Sequence, residues 1–134
     1  MTVSMSNGVR KLLEEPNFAH LATLMRDGSP QTSAVWIDFD GTHILVNTAE
    51  ERQKPINVRR DRRVAISVIS QENPYSSATI RGRVVEITHE GADAHIDKLA
   101  KKYLGQDKYP FRQPGEQRVI FKIEPLRVSS MATD

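Results

Sequence analysis

The chain has 134 residues, 27% of them charged and 38% hydrophobic, a net charge of +2 and no cysteine. That length fits one domain, residues 1–134, and the missing cysteines exclude disulfides, thiolate metal sites and cysteine nucleophiles. The mild net charge argues against a dedicated nucleic-acid binder, no apolar run reaches membrane-span length, and residues 1–7 lack the regions of a secretory signal, so a soluble cytoplasmic protein is expected.

Ser6 or Asn7 can cap a short amphipathic helix over residues 8–15, which carries Val9, Leu12 and Leu13 and is stopped by Pro16. Phe18–Met25 reads as a largely buried strand. The turn Arg26–Pro30 has Asp-Gly at its centre, so the next run should pair antiparallel with that strand. Gln31–Phe39 alternates, with Val35, Ile37 and Phe39 on one face and Thr32, Ala34 and Trp36 on the other. A second Asp-Gly turn at Asp40-Gly41 leads into Ile44–Val46, and two such hairpins in tandem predict a meander. A connecting helix through Ile56 and Val58 precedes a fourth strand, Val64–Ile69. After the polar loop Gln71–Ser76 comes a long strand, Ala78–Thr88, in which Gly82 marks a bend or a close backbone approach. Ile96, Leu99, Ala100, Tyr103 and Leu104 recur at helical spacing, and Gly105 ends that helix. Residues 106–117 are irregular. Arg118–Glu124 is a last alternating strand, interrupted by Pro125 and able to continue through Arg127 and Val128. About six strands, two or three helices and no β-α alternation predict a mainly β, α+β antiparallel barrel.

The most distinctive stretch runs from Asn47 to Arg63. Between Arg52 and Arg63 stand six cationic side chains and a single acid, Asp61. Arg52 and Lys54 lie at the mouth of the connecting helix, where free backbone N–H groups and the helix dipole already favour an anion. An arginine fork, a lysine point charge and the Thr48 hydroxyl together suit a phosphate. The same run, taken alone, equally describes a solvated basic helix. Hydrolase, metalloprotease, nucleotide-loop and dinucleotide fingerprints are absent from the sequence. His20, His43, His89 and His95 show no metal-ligand spacing, so neither a metal nor a protein nucleophile is assigned. What remains is a bound redox cofactor that brings its own chemistry.

The order of strands and Asp-Gly turns, followed by NTAEERQKPINVRRDRRVAISV, resembles the pyridoxamine-phosphate-oxidase-like split β-barrel family of flavin and deazaflavin proteins. The likeness is greatest to its coenzyme F420-dependent branch and extends from about Phe18 to Val128. It implies a six-stranded, FMN-binding-like split barrel packed as a homodimer, with the cofactor in the groove between subunits. By resemblance, Asn47, Thr48, Arg52 and Lys54 match the cofactor-phosphate motif, and Asn57 and Arg60 continue it along the helix. Pro30, Gln31, Ser33, Val35 and Trp36 lie on the strand that lines the cofactor in relatives, and Tyr75 aligns with an aromatic that closes the site. Trp36 reads equally well as core or dimer packing, and Tyr75 as a surface side chain. Tyr109 and Arg112 would complete a substrate wall from the partner subunit, while Arg59, Arg62 and Arg63 face solvent or the interface. Pro55 and Arg62 depart from the family's commoner residues; Pro55 suits a first helical turn, and Arg62 leaves the entry into the next strand open. The implied activity is hydride transfer from reduced coenzyme F420 to a small electron-poor acceptor, an enone or quinone-like compound. An FMN-dependent flavin reductase or oxidase is the alternative of the same class. A cofactor carrier, or a haem- or nucleic-acid-binding module, is the alternative of another class.

Overall fold

The computed structural model describes residues 3–131. Three helices, α1 (Asn7–Glu14), α2 (Gln53–Arg60) and α3 (Ala92–Leu104), are set among seven strands. The strands are β1 (Ala19–Leu24), β2 (Pro30–Val35), β3 (Ile37–Phe39), β4 (Ile44–Ala49), β5 (Arg63–Ile69), β6 (Ser77–Thr88) and β7 (Arg118–Ser130). The expected first helix is present one residue earlier than placed by sequence, with Ser6 as its cap accepting from the Val9 N–H.

All seven strands form one antiparallel sheet in the order β2-β1-β5-β6-β7-β4-β3. The ends of that order, β2 and β3, are separated in sequence by Trp36 alone. Laid flat, strands about 4.8 Å apart would put the two ends nearly 30 Å from each other. One intervening residue spans at most about 7 Å. The sheet must therefore curl until its ends meet, and the result is a barrel with a seam at Trp36.

The single strand expected over Gln31–Phe39 is thus two strands, which raises the count from six to seven. The two Asp-Gly hairpins form as expected, β1 with β2 and β3 with β4, but they lie at opposite ends of the strand order rather than in a continuous meander. At the break, helix α3 takes over the backbone groups of Ile37. Its N–H donates to the Tyr103 hydroxyl at 3.1 Å, and its carbonyl accepts from Lys102 Nζ at 2.7 Å. Lys102 also donates to the Leu13 carbonyl at 2.7 Å, and the Tyr103 hydroxyl donates to the Asn17 carbonyl at 2.7 Å. Burial lowers the Lys102 ammonium to about 8 and raises the Tyr103 phenol to about 12.

Gly82 is a close approach, as its position suggested: a Cβ there would lie 2.4 Å from the Glu124 carbonyl oxygen. It pairs with Pro125 at a register shift, which lets β7 run on through the proline to Ser130. Inside the barrel, Val9, Leu12 and Leu13 of α1 and Val58 of α2 join Leu21, Ile66, Ile80, Phe121 and Ile123 in one apolar cluster. Helix α3 packs outside, against β4 and β7, where Ala92 meets Leu45 and Ile120. Among the described residues no helix is long and apolar enough to cross a membrane.

Candidate functional site

Beside the seam the ends of several elements converge on a cavity of about 200 Å³. One end is polar and basic, formed by Asn47 and Thr48 of β4, Arg52 and Lys54 at the start of α2, and Arg118 at the start of β7. The rest is largely aromatic, formed by Phe18, Trp36, Tyr109 and Phe111, and Ala34, Val35 and Ile96 complete the lining.

Alternation along β4 determines what each side chain meets. Thr48 follows Val46 and Ile44 toward the barrel interior and is 1% exposed. Its hydroxyl oxygen is buried and makes no hydrogen bond among the described residues. Such a group carries a desolvation cost unless a ligand supplies the partner. Lys54 Nζ donates to the Ser33 hydroxyl at 3.1 Å. Its pKa is pushed down by burial first and then by the charges of Arg52 and Arg118. An anion seated among these cations would reverse that strain, because opposite charge favours the ionised lysine. Arg52 is the N-cap residue of α2 and its side chain makes no capping bond, so the helix mouth keeps its free N–H groups. Pro55 occupies the first turn, where its missing N–H is harmless.

Asn47 points the other way, under α3. Its amide nitrogen donates to the Ala92 carbonyl at 2.9 Å and lies 3.1 Å from His95 Nδ1, while its oxygen accepts from Arg118 Nε at 2.9 Å. Arg118, 4% exposed, also donates from Nη1 to Glu116 at 2.6 Å and sits over the Tyr109 ring at 5.2 Å. Behind them, Asp38 meets His95 Nε2 and Lys98 Nζ, each at 3.1 Å. Burial alone would raise the Asp38 carboxyl, but hydrogen bonds from His95 and Lys98 outweigh it and hold the group well below the usual carboxylate range. On the outer side Glu50 binds Arg59 through both oxygens and His89 Nε2 at 2.7 Å, and His89 Nδ1 lies 2.9 Å from the Arg118 carbonyl oxygen. Arg59 is therefore an anchored residue, and its bond to Glu50 lowers the carboxyl pKa.

The aromatic end is a stack. Trp36 lies parallel to Tyr103 with centroids 5.2 Å apart and meets Tyr109 edge-on at 5.9 Å; Tyr109 in turn meets Phe111 at 5.7 Å. Tyr109 and Phe111 ride on the irregular segment after α3, which Asp97 ties down by accepting from the Tyr109 N–H at 2.8 Å and from Arg112 at 2.9 Å.

Of the residues singled out by sequence, the structure brings Val35, Trp36, Asn47, Thr48, Arg52 and Lys54 to the cavity, with Ser33 bonded to Lys54. Tyr109 joins them, whereas Arg112 pairs with Asp93 and Asp97 and holds the segment in place. Asn57 is fully buried and donates to the Thr23 hydroxyl at 3.0 Å while accepting from Gln53 and Arg60, so it fastens α2 to β1. Arg60 does the same through the Leu24 carbonyl at 2.6 Å. Pro30 and Gln31 are exposed at the far end of β2, and Tyr75 is 83% exposed on its loop; none of them lines the cavity. Arg62 and Arg63 are exposed, the latter paired with Asp61 at 2.8 Å. Sequence reasoning missed Arg118, Phe18 and Phe111. An arginine set directly before the apolar run Val119-Ile120-Phe121 was the one available signal for Arg118. Among the described residues no group of three or more His, Cys, Asp or Glu is placed to hold a metal ion.

The sequence matches the pyridoxamine 5'-phosphate oxidase family over residues 5–132. A solved F420 reductase is 35% identical, with 93% of this chain and 98% of that chain covered and a TM-score of 0.82. A conserved hypothetical protein from Mycobacterium tuberculosis is 23% identical, with 96% and 85% covered and a TM-score of 0.73. A FAD-binding protein from Mesorhizobium loti is 19% identical, with 100% and 98% covered and a TM-score of 0.68. The last two show likeness of fold alone. Comparison with curated proteins gives no match.

Proposed function

The chain belongs to the pyridoxamine 5'-phosphate oxidase family, and from that premise we propose that it is a coenzyme F420-dependent reductase acting on an electron-poor organic acceptor of the enone or quinone-like class. The observation that carries this reading is the buried, unpartnered Thr48 hydroxyl beside Lys54, whose own charge is disfavoured by its surroundings. One phosphate oxygen placed there would accept from the hydroxyl and relieve the crowding of Lys54, Arg52 and Arg118. The 35% identity to a solved F420 reductase supports the deazaflavin over FMN.

In the loaded protein, Thr48, Arg52 and Lys54 grip the phosphate, and the free N–H groups at the mouth of α2 add to the positive field. Val35, Trp36 and Tyr109 offer flat apolar walls, and the Trp36 ring is kept from turning by its stack on Tyr103. Reduced deazaflavin, when bound, supplies the hydride. The protein's part is orientation and the exclusion of water; it needs no nucleophile of its own. Two copies form the working unit, with Pro30, Gln31 and Tyr75 assigned to the groove shared with the partner subunit.

The test is a pair of fluorescence titrations of cofactor-free protein, one with coenzyme F420 and one with FMN. Tighter binding of coenzyme F420 is expected. A preference for FMN would make the protein a flavin reductase and leave the phosphate grip standing, whereas binding of neither overturns the redox reading. Lys54→Ala should weaken binding by roughly tenfold or more, the worth of a charge-assisted hydrogen bond, with an unchanged melting temperature. Equal affinity in that variant would remove Lys54 from the phosphate site.

A further inference from the structure

We infer that Asp38 and His95 are positioning residues that fix the Arg118 guanidinium in the cavity through the side-chain amide of Asn47. The contacts run inward from the surface. Lys98 Nζ and His95 Nε2 both meet Asp38 Oδ2 at 3.1 Å, His95 Nδ1 lies 3.1 Å from Asn47 Nδ2, and Asn47 Oδ1 accepts from Arg118 Nε at 2.9 Å.

One arrangement of protons satisfies every member of this chain. Arg118 Nε can only donate, so the Asn47 oxygen must face it. The Asn47 nitrogen then gives one N–H to the Ala92 carbonyl at 2.9 Å and the other to His95 Nδ1. His95 Nδ1 is therefore bare, and its single proton sits on Nε2, where the Asp38 carboxylate accepts it. Turning the Asn47 amide over would set N–H against N–H at Arg118 and oxygen against oxygen at Ala92. Arg118 is 4% exposed and Ala92 2%, so water cannot repair such a mismatch cheaply.

The consequence falls on Arg118. Asn47 holds Nε, Glu116 holds Nη1, and the Tyr109 ring lies against the cation. Nη2 has no hydrogen-bond partner among the described residues, so its N–H groups are available to a ligand. Held this way, Arg118 presents a fixed donor beside Lys54, rather than a diffuse positive charge. An apolar side chain at position 95 would take the acceptor from one Asn47 N–H and leave the Ala92 carbonyl alone to hold the amide nitrogen against Arg118.

This inference rests on the cofactor reading of the cavity, and its test separates the two. Affinity for coenzyme F420 and for FMN is measured by fluorescence in the wild type, His95→Phe, Arg118→Met and the double variant. Each single change should weaken binding on the order of tenfold, and the double variant should bind no more weakly than Arg118→Met alone. Unchanged affinity in His95→Phe, or effects that multiply in the double variant, would overturn the positioning role. If the wild type binds neither cofactor, the cavity reading fails instead, and the relay is decided on the unmutated protein by imidazole nitrogen NMR. Protonated Nε2 with bare Nδ1 at His95 is the expected result, and a proton on Nδ1 overturns the relay. The NMR measurement needs no variant to fold.

Discussion

Thr48 and Asn47 are neighbours on one strand, yet the pleat gives them opposite duties. Asn47 turns both amide N–H groups and its oxygen toward the protein, on Ala92, His95 and Arg118. Thr48, sent into the barrel, spends none, and its buried oxygen has no partner among the described residues. A buried unsatisfied hydroxyl costs about 1–3 kcal/mol. Thr48→Val keeps the shape and removes the cost, so the cofactor-free protein should gain about 1 kcal/mol and melt several degrees higher. Affinity for the phosphate-bearing cofactor should fall in the same variant. Calorimetry of the empty protein beside a titration reads both, and a variant that melts lower, or binds as tightly as the wild type, would refute the assignment of Thr48 to the ligand.

Among elements, the seam at Trp36 organises the barrel, and α3 is what makes it possible. Where the strand breaks, Ile37 would lose ladder partners; Tyr103 and Lys102 replace them. Tyr103→Phe would strand the Ile37 N–H and the Asn17 carbonyl together, and should cost about 1–3 kcal/mol in urea denaturation with the slope unchanged. A loss well under 1 kcal/mol would mean that water satisfies both groups. The same place shows why the break was not legible in the sequence. Val35, Ile37 and Phe39 all join the core, so period-2 alternation continues across the bend, while Lys102 and Tyr103, which permit it, stand 65 and 66 positions after Ile37. Signals carried by neighbouring residues read correctly: both Asp-Gly hairpins, the αL glycine Gly105 ending α3, and the tight approach at Gly82. The site divides in the same way. Thr48, Arg52 and Lys54 were legible because strand end and helix mouth are adjacent in sequence. Arg118 reaches Asn47 across 71 positions, and only the sheet register of β4 against β7 brings them together. Asn57 and Arg60 read as ligands because they share the motif, but the turn of the helix points them at β1.

At the scale of the molecule, the outside of the barrel is unevenly covered. Helix α3 packs over β4 and β7. Across β1, β5 and β6 the register sets Ala22 beside Ala65 and Ala65 beside Arg81, with His20, Ser67 and Thr79 in the next row. Ala22, Ala65, Ser67 and Thr79 keep the middle of these rows low, with His20 and Arg81 at the sides, so another strand layer can lie close over them. The cavity's aromatic end opens to solvent as well, with Phe18 51% and Phe111 59% exposed. A stable interface takes about 800 Å² from each partner, roughly a tenth of the 7678 Å² this chain exposes. The proposed homodimer can use this strip, so light scattering should give twice the 15.1 kDa of one chain. Ala65→Lys would raise a long charged side chain next to Arg81 and should shift the mass toward one chain, with little change in the melting of the barrel itself. In the proposed homodimer the shared groove would complete the ring end of the site, so the same variant should bind cofactor more weakly while the contacts proposed for Lys54 persist. A wild type that scatters as one chain, with full cofactor affinity, would show instead that a single barrel carries the whole site.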